Sequence, residues 1–187
     1  MQRNSLFIQK NKLKDYLPSR LHLYYFARLI ENKLGKNIEV KFPNIFKAIE
    51  QYGICTEKEY PYDVNKVNNL PEIQTEKINI IHGVLHEDIY CIKKQLSKGV
   101  PVLFTFDIFS NFLTDTVKQT GYVKMPLHKE RPIGKISSAI YGYRNSSNCF
   151  ICMNNNGVEW GEKGFFYLPY EYVSKYAYNF YSIDLTL

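Results

Sequence analysis

The sequence places most of its helix-like patterns before its strand-like ones. Apolar side chains recur at helical spacing in residues 20–34, 43–52 and 86–98. After residue 100, short apolar runs separated by turn residues take over. Helices first and strands later is the order of an α+β fold, in which the two kinds of element are segregated, and not of an alternating α/β fold.

Residues that start and stop helices mark these patterns. Ser19 precedes the first helix as a candidate cap, and Gly35 follows it. The second helix has Pro43 in its first turn and Gly53 at its end. His86 opens the third helix and is its candidate cap. The sequence therefore predicts three helices in the first hundred residues.

The strand patterns are short and close together. Residues 100–106 form a near-continuous apolar run, as expected of a strand buried on both faces. A polar, Asn-rich loop is predicted for residues 63–76, and a second loop runs through Pro132. Further strands are predicted at residues 79–85, 136–143, 149–154, 164–168 and 177–185.

The composition is that of a globular protein. Of 187 residues, 45% are hydrophobic and 22% charged, enough for one domain or two small lobes sharing a core. No apolar run approaches the roughly 20 residues of a membrane helix. The start of the chain lacks the apolar stretch of a secretory signal, so we expect no membrane association and favour an intracellular protein. Abundant Lys, Asn, Ile and Tyr suggest an AT-rich genome, such as that of a microbe or a large DNA virus.

The net charge of +6 is concentrated at one end of the sequence. Residues 1–36 hold eight Lys or Arg against Asp15 and Glu31, so that stretch alone carries +6. A basic face can bind nucleic acid, but it is more often a solvated surface. Nucleic-acid binding is therefore kept only as a distant alternative, to be tested by salt-sensitive retention on a polyanion column.

The cysteines do not indicate a disulfide framework or a metal site. Cys149 and Cys152 have the spacing of a metal or redox pair, but they lie in a predicted strand, where residues three apart face opposite sides of the sheet. Buried, reduced thiols are the expected state. The His and Cys spacings form no zinc motif, and the glycines form no phosphate loop, so no metal or cofactor is predicted.

Four segments in one order resemble a known family. They are Pro18-Ser19-Arg20-Leu21 with Tyr24-Tyr25; residues 48–63, AIEQYGICTEKEYPYD; residues 101–112, PVLFTFDIFSNF; and residues 154–165, NNNGVEWGEKGF. The last matches the pattern N-S-W-G-x-x-W-G-x-x-G-[YF] and follows a strand ending in Gly142-Tyr143. Together they resemble the papain-like cysteine peptidases. The positions that fall on the pattern are Asn154, Gly157, Trp160, Gly161, Gly164 and Phe165.

The resemblance implies a papain-like α+β fold. A single domain would comprise a helical lobe, about residues 1–100, and a β-rich, barrel-like lobe, about residues 101–187. In the family, the catalytic Cys lies in a central helix upstream of the position of Pro18. Counting back places it before Met1, together with the Gln that stabilises the oxyanion. We therefore expect the central helix to be truncated at its N-terminus.

The resemblance also implies that catalytic groups are missing. Counting back from Gly142-Tyr143, the position of the family's His is occupied by Ile136, and Ser137 follows it where Ala is usual. Of the catalytic Cys, His and Asn, only Asn154 is left, as a vestige. Asn156 replaces the Trp that usually covers that Asn. Isoleucine cannot accept a proton, so we expect no active catalytic residue.

The resulting hypothesis is an inactive peptidase homologue that binds a peptide or protein. A homo-oligomer or another subunit would then cover the N-terminal region. The alternative is an active cysteine peptidase whose missing N-terminal part supplies the nucleophile. Before the second helix, Val40, Lys41 and Phe42 stand where the family has paired glycines. The residues expected to line the binding cleft are Phe42, Pro43, Ile136, Ser137, Asn154, Asn156, Gly157 and Trp160.

Overall fold

The computed structural model describes residues 17–73, 75 and 79–186. Two compact units are present, one formed by the residues up to Ile81 with the end of the last strand from Asp184, the other by His82–Ile183. The basic segment before residue 17, and the shortened central helix expected there, lie outside the described residues. None of the described helices is long and apolar enough to span a membrane.

The first unit is built on helix α1, Arg20–Ile30. Ser19 caps it as predicted, because the Ser19 hydroxyl accepts a hydrogen bond from the His22 N–H at 3.2 Å. The helix was predicted to continue to Leu34 but ends at Ile30. Asn32 has a φ of 54°, which a helix cannot continue through, and the chain turns back there.

Helix α2, Phe42–Tyr52, packs against α1. Pro43 lies in its first turn and Gly53, with a φ of 69°, ends it, as the sequence predicted. The Phe26 and Tyr52 rings stack across the helix pair at 4.2 Å. The 3-10 turn Val64–Lys66 interrupts the polar loop that follows. The buried core of the helix pair is Tyr25, Phe26, Ala27 and Ala48.

A six-stranded sheet makes up most of the second unit, which begins within the first strand of the sheet and ends within the last. Its strands are β1 Asn79–Val84, β2 Val102–Ile108, β3 Gly134–Arg144, β4 Cys149–Met153, β5 Phe165–Pro169 and β6 Ala177–Thr186. Their order across the sheet is β1-β6-β2-β3-β4-β5. The pairings of β2 with β3, β2 with β6, β3 with β4 and β4 with β5 are antiparallel. Helices first and an antiparallel sheet later confirm the predicted α+β class.

Three helices accompany this sheet. They are α3 Ile89–Ser97, α4 Asp115–Thr120 and α5 Tyr170–Tyr176. His86 was a candidate cap for α3 but is not its cap, because the Asp88 carboxylate accepts from the Cys91 N–H at 2.8 Å. The sequence did not predict α4 and α5, which have only six and seven residues, too few for a helical periodicity to show.

An aromatic core covers one face of the sheet. Phe104 and Phe106 of β2 are fully buried, with ring centroids 5.2 Å apart. Phe166 of β5 and Tyr172 of α5 contact Phe106 from other elements. Burying one ring of this size contributes about 1.5–3 kcal/mol, so this cluster supplies much of the stabilisation of the unit.

Candidate functional site

Ile136 lies in β3 with Phe106 of β2 as its cross-strand partner. Its side chain is half-buried and packs against the aromatic core of the second unit. Residues directly opposite in an antiparallel pair share a face of the sheet, so Ile136 lies on the core face with Phe106. The position at which the resemblance implies a catalytic base therefore holds an aliphatic side chain used for packing.

The two hydroxyls after Ile136 both have hydrogen-bond partners. Ser137 pairs with Thr105 across β2 and β3, and their hydroxyl oxygens are 3.1 Å apart. The Ser138 hydroxyl donates to the carbonyl of Met153 at 2.6 Å. These contacts join β3 to β2 and to β4. They account for both serines without a catalytic role.

Asn154 follows the last residue of β4, and its side chain organises the turn after that strand. Its Oδ1 accepts a hydrogen bond from the Asn156 N–H at 2.6 Å, and its Nδ2 donates to the Trp160 carbonyl at 2.9 Å. Its own N–H donates to the carbonyl of Gly164 at 2.9 Å. Both polar ends of the amide are therefore used within the turn, a local pattern typical of Asn in tight loops.

Trp160 closes the same turn from the other side. Its half-buried ring lies 5.4 Å from the ring of Phe112 and 5.9 Å from that of Phe166. The Trp160 N–H donates to the carbonyl of Gly157 at 3.3 Å, and Gly157 has a φ of 95°. Asn156, which directly precedes Gly157, is exposed. The structure thus brings Asn154, Asn156, Gly157 and Trp160 together in one turn.

Residue 161 must be a glycine because the backbone of β5 passes close to it. A Cβ built on it would lie 2.3 Å from the carbonyl oxygen of Phe165, and its φ is 68°. No other residue type fits this position without moving backbone. This physical requirement explains the glycine that follows Trp160 in the sequence pattern.

The remaining two predicted residues belong to the first unit. Phe42 is the first residue of α2, half-buried, with its ring 6.3 Å from that of Phe46 and nearly parallel to it. Pro43 is exposed in the first turn of α2. Ile136, Ser137 and the turn after β4 all lie in the second unit.

All four cysteines lie within the described residues, and none has the surroundings of an activated nucleophile. Burial raises the pKa of Cys55, and it raises that of Cys152, which is fully buried, well above the usual thiol value. The hydrogen bond to Asp88 raises the pKa of Cys91. Cys149 is buried beside the Ser147 hydroxyl at 3.2 Å. Catalytic cysteines instead have a lowered pKa, because the thiolate is the nucleophile.

The histidines are dispersed. His22 is 1% exposed on α1, and burial lowers its pKa. His86 is exposed, with Nδ1 3.6 Å from the Asp88 carboxylate, and His82 and His128 are also exposed. Within residues 17–73, 75 and 79–186, no group of three or more His, Cys, Asp or Glu side chains is arranged to hold a metal ion.

The sequence did not reveal a polar and aromatic cluster beside β5. Tyr122 stacks on Tyr167 at 4.4 Å, and Arg144 donates to the Tyr122 hydroxyl at 2.9 Å. The Tyr167 hydroxyl donates to Glu162, and burial together with this contact raises the pKa of Tyr167 to about 12. Tyr122, Arg144 and Tyr167 come from three segments that strand pairing brings together, whereas Glu162 precedes Tyr167 in the same segment.

A packed helix pair in one unit, an antiparallel sheet with short helices in the other, and the turn holding Asn154 and Trp160 are typical of a papain-like α+β protein. The fold of xylellain, a cysteine protease from Xylella fastidiosa, is similar, with a TM-score of 0.78 and 25% identity over 99% of this chain and 78% of that one. The fold of procathepsin B S9 from Trypanosoma congolense is similar too, with a TM-score of 0.62 and 14% identity over 91% of this chain and 61% of that one.

Sequence comparison identifies the family. The model of the papain family cysteine proteases matches residues 41–180, so this chain belongs to that family. It is 31% identical over 180 residues to an uncharacterized peptidase C1-like protein of Acanthamoeba polyphaga mimivirus, covering 89% of this chain. The chain spans 58% of the length of that viral relative. These matches confirm the resemblance found in the sequence, including its papain-like fold.

Proposed function

We propose that this chain is a catalytically inactive member of the papain family that binds a peptide or a protein. The observation that carries the proposal is Ile136, an aliphatic side chain at the position where the family has its catalytic His. Proton transfer to and from a thiol nucleophile needs a titratable group within hydrogen-bond reach. The Ile136 side chain, which packs on the aromatic core, contains no titratable group.

The hydrogen bonds of Asn154 support the proposal independently. In papain-like catalysis the Asn side chain orients the imidazole through its amide oxygen. Here the oxygen accepts from the Asn156 N–H and the amide nitrogen donates to Trp160. A side chain whose two polar ends serve its own turn has a structural role that does not need a histidine.

The cysteines give a third line of support. Forming a thiolate at neutral pH requires a positive neighbour or a helix N-terminus that lowers the pKa. Burial and Asp88 act in the opposite direction on Cys55, Cys152 and Cys91. Their chemistry is that of packed or hydrogen-bonded thiols.

A binding role follows from what is kept. The turn between β4 and β5 retains the glycines and the tryptophan of the family's sequence pattern, and it presents the exposed side chains of Asn156 and Val158. Exposed amide and aliphatic groups on a hydrogen-bonded turn suit the backbone and side chains of an extended peptide. The partner in this role is a second copy of the chain or another subunit, which covers the N-terminal region.

The competing function is cysteine-type proteolysis, with the nucleophile supplied by a segment outside this chain. Two observations support this alternative: the chain belongs to a family of cysteine proteases, and it spans only 58% of the length of its viral relative. Ile136 argues against it, because such a nucleophile would still lack the family's base. The two functions differ in a direct assay of turnover.

The test is to present a library of fluorogenic peptides to the purified chain under reducing conditions, following both hydrolysis and binding. Trp160 is the only tryptophan of the sequence, so its fluorescence reports on ligands at this turn. The proposal expects saturable fluorescence changes with a subset of peptides and no hydrolysis. An Asn156→Ala variant should weaken that binding, whereas Lys98→Ala, on the exposed residue after α3, should not. Turnover, or the absence of any binding peptide, would overturn the proposal.

A further inference from the structure

The turn that carries Asn154 and Trp160 contains the single Asn-Gly pair of the sequence, Asn156-Gly157. Asn156 is exposed, and Gly157 is exposed beside it in a segment that is neither helix nor strand. A Cβ built on Gly157 would meet no atom within 4 Å, so the space around this peptide bond is open. We propose that Asn156 is a site of spontaneous deamidation, which converts it to aspartate and isoaspartate.

The chemistry needs only water. After the backbone N–H of Gly157 loses its proton to a solvent base, the nitrogen attacks Cγ of Asn156. The new N–Cγ bond closes a five-membered imide, and the Cγ–Nδ2 bond breaks as the side-chain nitrogen leaves as ammonia. One water then opens the imide at either carbonyl carbon, giving aspartate or isoaspartate. One water is consumed and one ammonia released, with no oxidation or reduction.

The geometry singles out Asn156 among its neighbours. Gly157 has no side chain to hinder the attacking nitrogen, whereas Asn155 is followed by the bulkier Asn156. The Asn154 amide nitrogen, which would be the leaving group, donates to the Trp160 carbonyl. The Asn145 side chain in the β3–β4 turn is held by hydrogen bonds from Lys93 and Tyr170. The hydrogen bond that Asn156 makes to Asn154 uses its backbone N–H and leaves its side chain in solvent.

The modification changes the chemistry of the turn. Either product replaces a neutral amide with a carboxylate at residue 156. Isoaspartate also adds one backbone carbon between the Asn154 and Trp160 ends of the turn. A freshly made chain and an aged chain would therefore present different charges at this surface. The inference rests on the exposure and sequence of the turn and is independent of the proposed peptide binding.

The test uses the intact, folded chain incubated at mildly alkaline pH and sampled over days. Tryptic digestion releases residues 145–163 as one peptide that holds five asparagines, and fragmentation assigns any amide-to-acid mass shift to one of them. The expected result is progressive loss of the Asn156 amide with both products formed, isoaspartate being detected by its enzymatic methylation. An Asn155→Gln variant should convert at the same rate, and Asn156→Gln should abolish the shift.

Two results would overturn the proposal. One is a shift that appears first at Asn155 or another asparagine of the peptide. The other is conversion of Asn156 in the urea-unfolded chain but not in the folded one, which would mean that the turn protects it. Because the measurement is made on the unaltered protein, it does not depend on whether a variant folds.

Discussion

The Oδ1 atom of Asn154 accepts a hydrogen bond of 2.6 Å from the backbone N–H of Asn156. The Nδ2 atom of the same amide donates to the backbone carbonyl of Trp160, so both polar atoms of the Asn154 side chain stabilise the turn that follows β4. Ile136 packs on the core face of β3. Both residues of the candidate site therefore have structural roles, Asn154 in a turn and Ile136 in the core.

Introducing the family's histidine should not create activity. We expect an Ile136→His variant to show no peptide hydrolysis, because the pKa values of Cys55, Cys91 and Cys152 are raised and Cys149 is buried. Placing an imidazole in a half-buried apolar position should lower the free energy of unfolding by about 1–3 kcal/mol. Urea denaturation and a fluorogenic assay measure the two effects. The conservative Ile136→Val control should cost about 0.5–1.5 kcal/mol; hydrolysis by Ile136→His would show that a nucleophile is in place.

Gly161 should be far less tolerant of substitution than Gly157. Both have positive φ, so alanine at either position costs about 1–2 kcal/mol in backbone strain. At Gly161 the new Cβ would also lie 2.3 Å from the Phe165 carbonyl oxygen, whereas at Gly157 it would meet nothing within 4 Å. Urea denaturation should therefore find Gly161→Ala clearly less stable than Gly157→Ala. Equal losses would mean that the turn relaxes and that the close approach is unimportant.

The buried hydroxyl of Tyr172 should matter for stability. It donates to the Asp107 carbonyl at 2.8 Å, and burial raises the pKa of this tyrosine. A Tyr172→Phe variant leaves that carbonyl without its donor, at a cost of about 1–3 kcal/mol in the free energy of unfolding. Tyr170→Phe is the matched control, since the Tyr170 hydroxyl donates to Asn145 at an exposed site. If the two variants are equally stable, the Tyr172 bond contributes nothing measurable.

Stability should fall in mildly acidic solution because of His22. Burial lowers the pKa of its imidazole below the ordinary 6.5, and its buried Nδ1 has no hydrogen-bond partner among the described residues. Below pH 6.5 the unfolded chain therefore takes up a proton that the folded chain resists. The contribution of the neutral side chain is present above pH 6.5 and is lost progressively as the pH falls toward the lowered pKa.

The measurement for His22 is the urea midpoint as a function of pH. A His22→Leu variant should lose the part of the acid sensitivity that lies just below pH 6.5. A His86→Leu variant controls for an exposed imidazole, whose side chain is 84% exposed. Identical pH profiles for the wild type and His22→Leu would contradict the assignment.

Much of the fold was predictable because local signals agree with it. Ser19, Pro43 and Gly53 mark helix ends through hydrogen bonding and backbone geometry that act within a few residues. The end of α1 was not predictable in this way. Arg28, buried at 1% exposure, donates to the Lys36 carbonyl and to Asn68, so contacts distant in sequence hold the chain that follows. The apolar periodicity therefore predicted that α1 continues to Leu34, four residues beyond its end at Ile30.

In the candidate site, too, the contacts between residues close in sequence were predictable and those that depend on strand pairing were not. The turn from Asn154 to Gly161 could be predicted, because its members are close in sequence and its glycines are required by local geometry. The partnership of Ser137 with Thr105 could not, since it depends on the register of β3 against β2. The cluster of Tyr122, Arg144 and Tyr167 depends likewise on strand pairing.

The most direct test of catalytic inactivity is covalent labelling. The purified, reduced chain would be incubated at neutral pH with an epoxide inhibitor of thiol proteases, and the mass of the intact protein measured. Our account predicts an unmodified mass, because the pKa values of Cys55, Cys91 and Cys152 are raised and Cys149 is buried. Stoichiometric addition of one inhibitor, mapped to a single cysteine and blocked by a competing peptide, would contradict it and show that this chain carries a working nucleophile.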